Sequence, residues 1–142
     1  MVGRIRETVE TDPLLMDVWV EGEAFVERKP ISFLGYVDEG GEVVDPTSPH
    51  KGQNISGKVL IFPSARGSTV GSYVLVSLSV VGKAPGALVM TEPSTVVLSG
   101  AIVAGIPLVY GVPEEIVQEV ETGDFIRLNP LRGEVIVERK GE

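Results

Sequence analysis

An unbroken apolar run, Val59-Leu60-Ile61-Phe62, halts at Pro63, passes through Ser64-Ala65-Arg66-Gly67-Ser68-Thr69, and re-enters an apolar segment at Val70-Gly71-Ser72. Few folds accommodate that order. Consecutive apolar residues suit a strand buried on both faces, as in a sheet covered by helices. A small polar turn followed by Ser or Thr and a long apolar segment then reads as strand, turn and helix N-terminus. Backbone N–H groups at such a junction lack intrahelical partners, and the helix dipole adds positive character, so the turn favours an anion. A serine and an arginine delivered there can handle a carboxylate or a phosphate.

The rest of the chain supports an α/β reading. Val18-Trp19-Val20 and Glu23 to Val26 alternate as a strand bent at Gly22. Ile31 to Val37 and Glu42 to Val44 flank the turn signal Asp38-Glu39-Gly40-Gly41, predicting a hairpin. A breaker-rich loop, Asp45 to Asn54, follows. Ser68 or Thr69 caps a predicted helix running to about Val81. Ala87 to Met90 is a strand, Ser94 caps a helix from Thr95 to Ala104, and Ile106 to Tyr110 is a strand. Pro113-Glu114-Glu115 opens a short helix with proline first and acids in the first turn. Asp124 to Leu128 and Glu134 to Glu138 form a last hairpin. The expected architecture is one α/β domain over residues 1–142, with a partly closed mixed sheet or barrel and a few helices packed outside.

Composition removes several function classes. With 142 residues and 43% hydrophobic content the chain can bury a core. Its net charge is −8 and it has no Lys/Arg cluster, which argues against nucleic acid or an anionic membrane as partner. The absence of cysteine rules out disulfides, thiol nucleophiles and thiolate-bound metal, and one histidine among scattered carboxylates argues against a self-contained zinc site. The N-terminus shows no apolar core of signal-peptide length. The apolar stretch from Val96 to Val112 is interrupted by glycine and proline and falls short of the roughly 20 residues of a spanning helix. A cytoplasmic location is expected. Only four residues are Asn or Gln, a thermophile-like trait.

The Ser64 turn fails two familiar patterns. A nucleophile elbow needs G-x-S-x-G, and Phe62 and Arg66 stand where glycines are required; His50 also precedes the serine. A P-loop needs Gly-Lys-Ser/Thr, and no lysine follows Gly67 or Gly71. A third chemistry suits the residues better. Ser64, held among N–H donors and a cation, can act as a base, while Arg66 orients an anionic substrate and Gly67 and Ser68 line it. Such a set suits proton removal beside a carboxylate, with a Lewis acid supplied from elsewhere. The same residues also suit a plain capped helix start with a surface arginine. His50, Glu92 and Asp124 suit solvated or turn positions.

Ser48-Pro49-His50-Lys51-Gly52-Gln53-Asn54-Ile55-Ser56-Gly57-Lys58-Val59-Leu60, leading into Phe62-Pro63-Ser64-Ala65-Arg66-Gly67-Ser68, resembles the small, swivelling-domain subunit of the aconitase X family. Glu92-Pro93 and Gly100-Ala101-Ile102-Val103-Ala104-Gly105-Ile106-Pro107 do so too, and the resemblance spans roughly residues 12 to 140 in order. It implies a swivelling β/β/α fold. It also implies a larger partner subunit whose cysteines ligate a [4Fe–4S] cluster, consistent with the lack of cysteine here. In the wider aconitase superfamily this turn reads Ser-Ser-Arg and its first serine is the base; carried over, that is Ser64, with Arg66 binding substrate and no required side chain at Ala65. Family activities include dehydration of phosphomevalonate in an archaeal mevalonate route and of cis-3-hydroxyproline. A short, separate subunit of thermophile-like composition favours the first. A phosphohistidine carrier or a non-catalytic binding module is the rival, though His50 follows Pro49 rather than the threonine a carrier uses.

Overall fold

A computed structural model describes residues 4–8 in backbone, and residues 17–67 and 69–139. Seven strands form one mixed sheet in the order β1-β7-β6-β2-β3-β4-β5. They are β1 (Arg4–Thr8), β2 (Val20–Val26), β3 (Val59–Phe62), β4 (Ala87–Met90), β5 (Leu108–Tyr110), β6 (Phe125–Asn129) and β7 (Glu134–Glu138). The strands β2, β3, β4 and β5 run parallel. On the other side of β2 the pairings to β6, β7 and β1 are antiparallel.

Alternation along the parallel strands divides the interior into two cores. Leu60, Phe62, Leu88, Met90 and Leu108 face one side, where they meet Leu75 and Leu78 of α2 (Val70–Val80) and Val97 and Ala101 of α3 (Thr95–Ala104). Val59, Ile61, Ala87, Val89 and Val109 face the other. There Ile116 and Val117 of α4 (Glu114–Glu119) cover them together with Ile126, Leu128, Val135 and Val137 of β6 and β7. The antiparallel hairpin therefore folds over the second face, giving the half-closed sheet expected from the sequence. Burial of β3 and β4 at every position explains why both read as continuous apolar runs.

Helix limits follow local chemistry. Ser94 Oγ accepts from the Val97 N–H at the start of α3, and Gly105, with φ of 72°, ends it. At α2 the expected cap differs. Thr69 holds the N-cap position in helical geometry with no side-chain cap, and Ser72 Oγ instead donates to the Thr69 carbonyl at 2.7 Å. Pro113 precedes α4 rather than forming its first residue. The last two strands are β6 and β7 as predicted, while β5 starts at Leu108 and β2 at Val20.

The predicted hairpin near Asp38 is only half realised. Its turn forms: the Asp38 N–H donates to the Glu42 carbonyl at 2.9 Å, and Val37 and Val43 bridge antiparallel. Its first arm does not, because the chain makes a single turn, α1 (Phe33–Tyr36), with Gly35 at φ of 94°. Phe33 and Tyr36 are buried by this turn, and Phe33 packs edge-on against Phe62, with ring centroids 5.7 Å apart. Core filling outweighed strand pairing there.

Helices α2 and α3 cross closely. A Cβ added to Gly100 would stand 2.9 Å from the Ser72 Cα and 3.0 Å from its carbonyl oxygen, both backbone atoms that cannot yield cheaply. Gly100→Ala is expected to separate the helices and destabilise the chain by about 2 kcal/mol despite alanine's better helix propensity. A lowered midpoint in urea denaturation checks this; an unchanged or raised midpoint contradicts it.

Candidate active site

The Ser64 turn lies past the carboxyl end of β3, where parallel α/β sheets place their ligands. Main-chain bonds hold it on both sides. The Ser64 carbonyl accepts from the Ile31 N–H at 3.0 Å, and the Arg66 N–H donates to the Ile31 carbonyl at 2.8 Å. These two bonds form a parallel bridge between Ile31 and Ala65. On the other side the Pro63 carbonyl accepts from the Glu92 N–H at 2.9 Å, past the end of β4. Proline cannot donate to the ladder, so the pairing of β3 ends at Pro63 and the chain is released into the turn.

Three N–H groups of the turn, those of Ser64, Ala65 and Gly67, have no acceptor among the described residues. Ser64 is half-buried, and its hydroxyl has no partner among the described residues. Arg66 is exposed and makes no ion pair there. Gly67 has φ of 101°, a conformation that side-chain-bearing residues rarely adopt. Ser68 lies outside the described residues. The structure thus gathers Ser64, Arg66 and Gly67 into one turn whose donors, cation and hydroxyl have no partner among the described residues.

Sequence reasoning missed Ser32. Its Oγ lies 3.3 Å from where a Cβ on Gly67 would stand, so a second hydroxyl borders the turn. Nothing local in the sequence signals it, since the contact depends on the continuation of β2 running beside residue 65. A buried support was missed as well. Glu27, only 2% exposed, follows β2, and its Oε1 accepts from the Tyr36 hydroxyl at 3.0 Å and from Ser48 Oγ at 2.5 Å. These bonds tie the long 27–58 connection to the strand end from which Ile31 reaches the turn.

His50 belongs to that support. Its Nε2 lies 2.8 Å from the Val26 carbonyl, its Nδ1 lies 3.1 Å from the Gln53 side-chain amide, and its ring packs on Phe25. Both nitrogens have polar neighbours, which gives His50 a structural role in holding the connection to β2. Glu92 is exposed in its turn. Asp124 is buried, and its Oδ2 accepts from the Glu121 N–H at 2.9 Å, a local structural role. Among the described residues no three His, Cys, Asp or Glu side chains gather to hold a metal ion. No helix among them is long and apolar enough to cross a membrane.

The sequence profile of the aconitase X swivel domain matches residues 11–137. The chain belongs to this family. Relatives agree: the phosphomevalonate dehydratase small subunit of Pyrococcus abyssi is 52% identical over 82% of this chain and 88% of its own length. That of Pyrococcus horikoshii is 49% identical over 87% and 91%. Among solved structures, the crystal structure of Thermococcus kodakaraensis aconitase X in its holo form superposes with a TM-score of 0.85 at 42% identity, covering 94% of this chain and 98% of that one. The half-closed mixed sheet is therefore the aconitase X swivel fold that the sequence resemblance implied.

Burial, reinforced by the charge of Glu27, pushes the Tyr36 hydroxyl well above the ordinary tyrosine range. The unfolded chain loses this proton near pH 10, whereas the folded chain holds it, so folding is favoured fully below about pH 10 and less with each unit above. The urea stability of the wild type is expected to fall above pH 10 more steeply than that of Tyr36→Phe, by up to about 1.4 kcal/mol per unit. Parallel pH profiles would contradict the assignment.

Proposed function

We propose that this chain is the small subunit of a hydro-lyase that dehydrates (R)-5-phosphomevalonate to trans-anhydromevalonate 5-phosphate, a cytoplasmic step of an archaeal mevalonate route. The observation that carries this reading is identity of about half over most of both chains with small subunits of phosphomevalonate dehydratase. The turn's chemistry agrees with the reaction class. Loss of water here breaks a C–H bond beside the carboxylate and a C–O bond at the neighbouring carbon, so it needs a base, an anion clamp and assistance at the leaving hydroxyl.

Ser64 is the base. Its alkoxide form would be stabilised by the N–H groups of Ser64, Ala65 and Gly67, which have no acceptor among the described residues, and by the nearby charge of Arg66. Oγ takes the proton from the carbon next to the carboxylate as the double bond forms. Arg66 clamps an anionic end of the substrate with its paired donors, Gly67 lets the backbone approach, and Ser68 adds a hydroxyl. Ser32 borders the same space.

The third requirement is not met by this chain. It has no cysteine, so its residues do not fit an iron–sulphur cluster. The [4Fe–4S] cluster implied by the family belongs to a large partner subunit, where it would supply Lewis acidity at the leaving hydroxyl. The site read here is half of a whole.

In the assembled enzyme Ser64→Ala is expected to lower kcat by roughly 1,000-fold or more with subunit assembly intact. Arg66→Lys should chiefly raise KM, by about 10-fold, because lysine cannot reproduce the two-pronged contact. Anaerobic turnover of phosphomevalonate measures both. Wild-type turnover by Ser64→Ala removes it from the base role, and activity on cis-3-hydroxyproline instead of phosphomevalonate replaces the substrate.

A further inference from the structure

The charges of this chain are unevenly placed. It has 20 acidic and 12 basic residues, yet none falls within 67–82 or 93–113, stretches that include all of α2 and α3. A helix bordering water normally keeps charged side chains on its outer face, and one that is apolar all round is normally covered. The inner faces of α2 and α3 are already packed on the sheet.

The outer faces are apolar too. On α2, Val70, Tyr73, Ser77 and Val80 fall on one stripe at helical spacing, with Tyr73 68% and Val80 81% exposed. On α3, Val103 is 73% exposed, and a shallow groove runs between it and Tyr73. Leu34 of α1 extends the surface. Together with Val70, Tyr73 and Val74 it lines a groove of about 300 Å³ whose rim carries Asp38 and Glu39. Exposed apolar surface gathered in this way marks an interaction site.

Two features identify what covers it. First, the stripe is continuous with the candidate site: Val70 begins α2 at the exit of the Ser64 turn. Since the chain lacks the group that completes the chemistry, whatever brings that group sits over the turn and meets the stripe. Second, the acidic rim belongs to a chain of net charge −8. A second copy would set acid against acid, whereas a partner with a basic residue at the rim would be matched.

We infer that the outer face of α2 and α3, with Leu34, is the surface on which the large subunit docks. The partner sets an apolar side chain into the groove between Leu34 and Tyr73 and a Lys or Arg against Asp38 and Glu39. This inference rests on the small-subunit reading above, and adds the surface and the chemistry of the contact.

The test is titration of separately purified large subunit with full-length wild type, Tyr73→Glu, Val80→Glu, Val103→Glu, Glu39→Lys, and a remote control, Leu131→Glu in the β6–β7 turn. The substituted apolar positions are exposed, so circular dichroism and thermal midpoints of the free chains should match wild type. Tyr73→Glu is expected to weaken association by about 30-fold or more, with Val80→Glu and Val103→Glu in the same direction. Glu39→Lys should weaken it several-fold and flatten its salt dependence. Leu131→Glu should bind as wild type. Wild-type affinity in all three apolar-to-Glu variants overturns the surface and leaves the reaction standing. Self-association of the free chain that Tyr73→Glu abolishes, with large-subunit binding unaffected, assigns the face to a second copy and overturns the inference. An assembled pair that Tyr73→Glu disrupts but that is inactive on phosphomevalonate sinks the reaction and leaves the surface. A wild-type chain that does not bind the large subunit overturns both.

Discussion

Burial of β3 on both faces is the constraint on which the structure depends. A central parallel strand with no polar side chain must be covered twice, and the described residues supply three helices beyond the single turn α1 with which to do it. Two are spent on one face. The other is closed by the short α4 and by the β6–β7 hairpin folding back over Val59 and Ile61. Half-closure of the sheet is thus the way a chain of this length satisfies both faces of β3. The same burial puts the end of β3 in the middle of the sheet's carboxyl edge. Pro63 then frees the chain into a turn flanked by the continuations of β2 and β4.

Much of this was legible in the sequence, for identifiable reasons. The strands from β3 to β5 and helix α3 announced themselves because each has a sharp signal: continuous apolar runs for the strands and the Ser94 cap for the helix. The candidate site was legible for the same reason, as Ser64, Arg66 and Gly67 are neighbours in the chain. What sequence could not supply was anything set by tertiary pairing. The arm predicted from Ile31 to Val37 was lost to α1 because Phe33 and Tyr36 found more burial beneath α2 and beside Phe62 than a two-stranded ribbon offers. Ser32 joins the turn only through the bridge of Ile31 to Ala65, across more than thirty residues of chain. The roles of Glu27 and His50 depend on the long 27–58 connection folding back on β2.

Charge distribution ties the two functional conclusions together. An arginine and N–H donors without partners among the described residues stand on one side of α2's N-terminus, and an uncharged helix pair stands on the other. An electrostatically prepared spot beside an exposed apolar surface is what a shared active site would need from its smaller half. On the docking proposed above, the apolar surface would supply association without competing for the anion, and its closure would exclude the water that weakens Arg66 and the turn donors.

The turn itself is held by carbonyl and amide groups of Ile31, Pro63, Ser64, Arg66 and Glu92, and among the described residues no side chain of residues 64 to 66 takes part. Shape and chemistry are therefore encoded separately. The loop is a socket whose contour is set by its neighbours, and the groups displayed from it can be exchanged without remaking it. A lineage could change which groups the turn displays by substitution at a few adjacent codons while the sheet, the helix pair and the pinned backbone stay as they are. One swivelling scaffold could in this way present different polar groups from the same pinned turn.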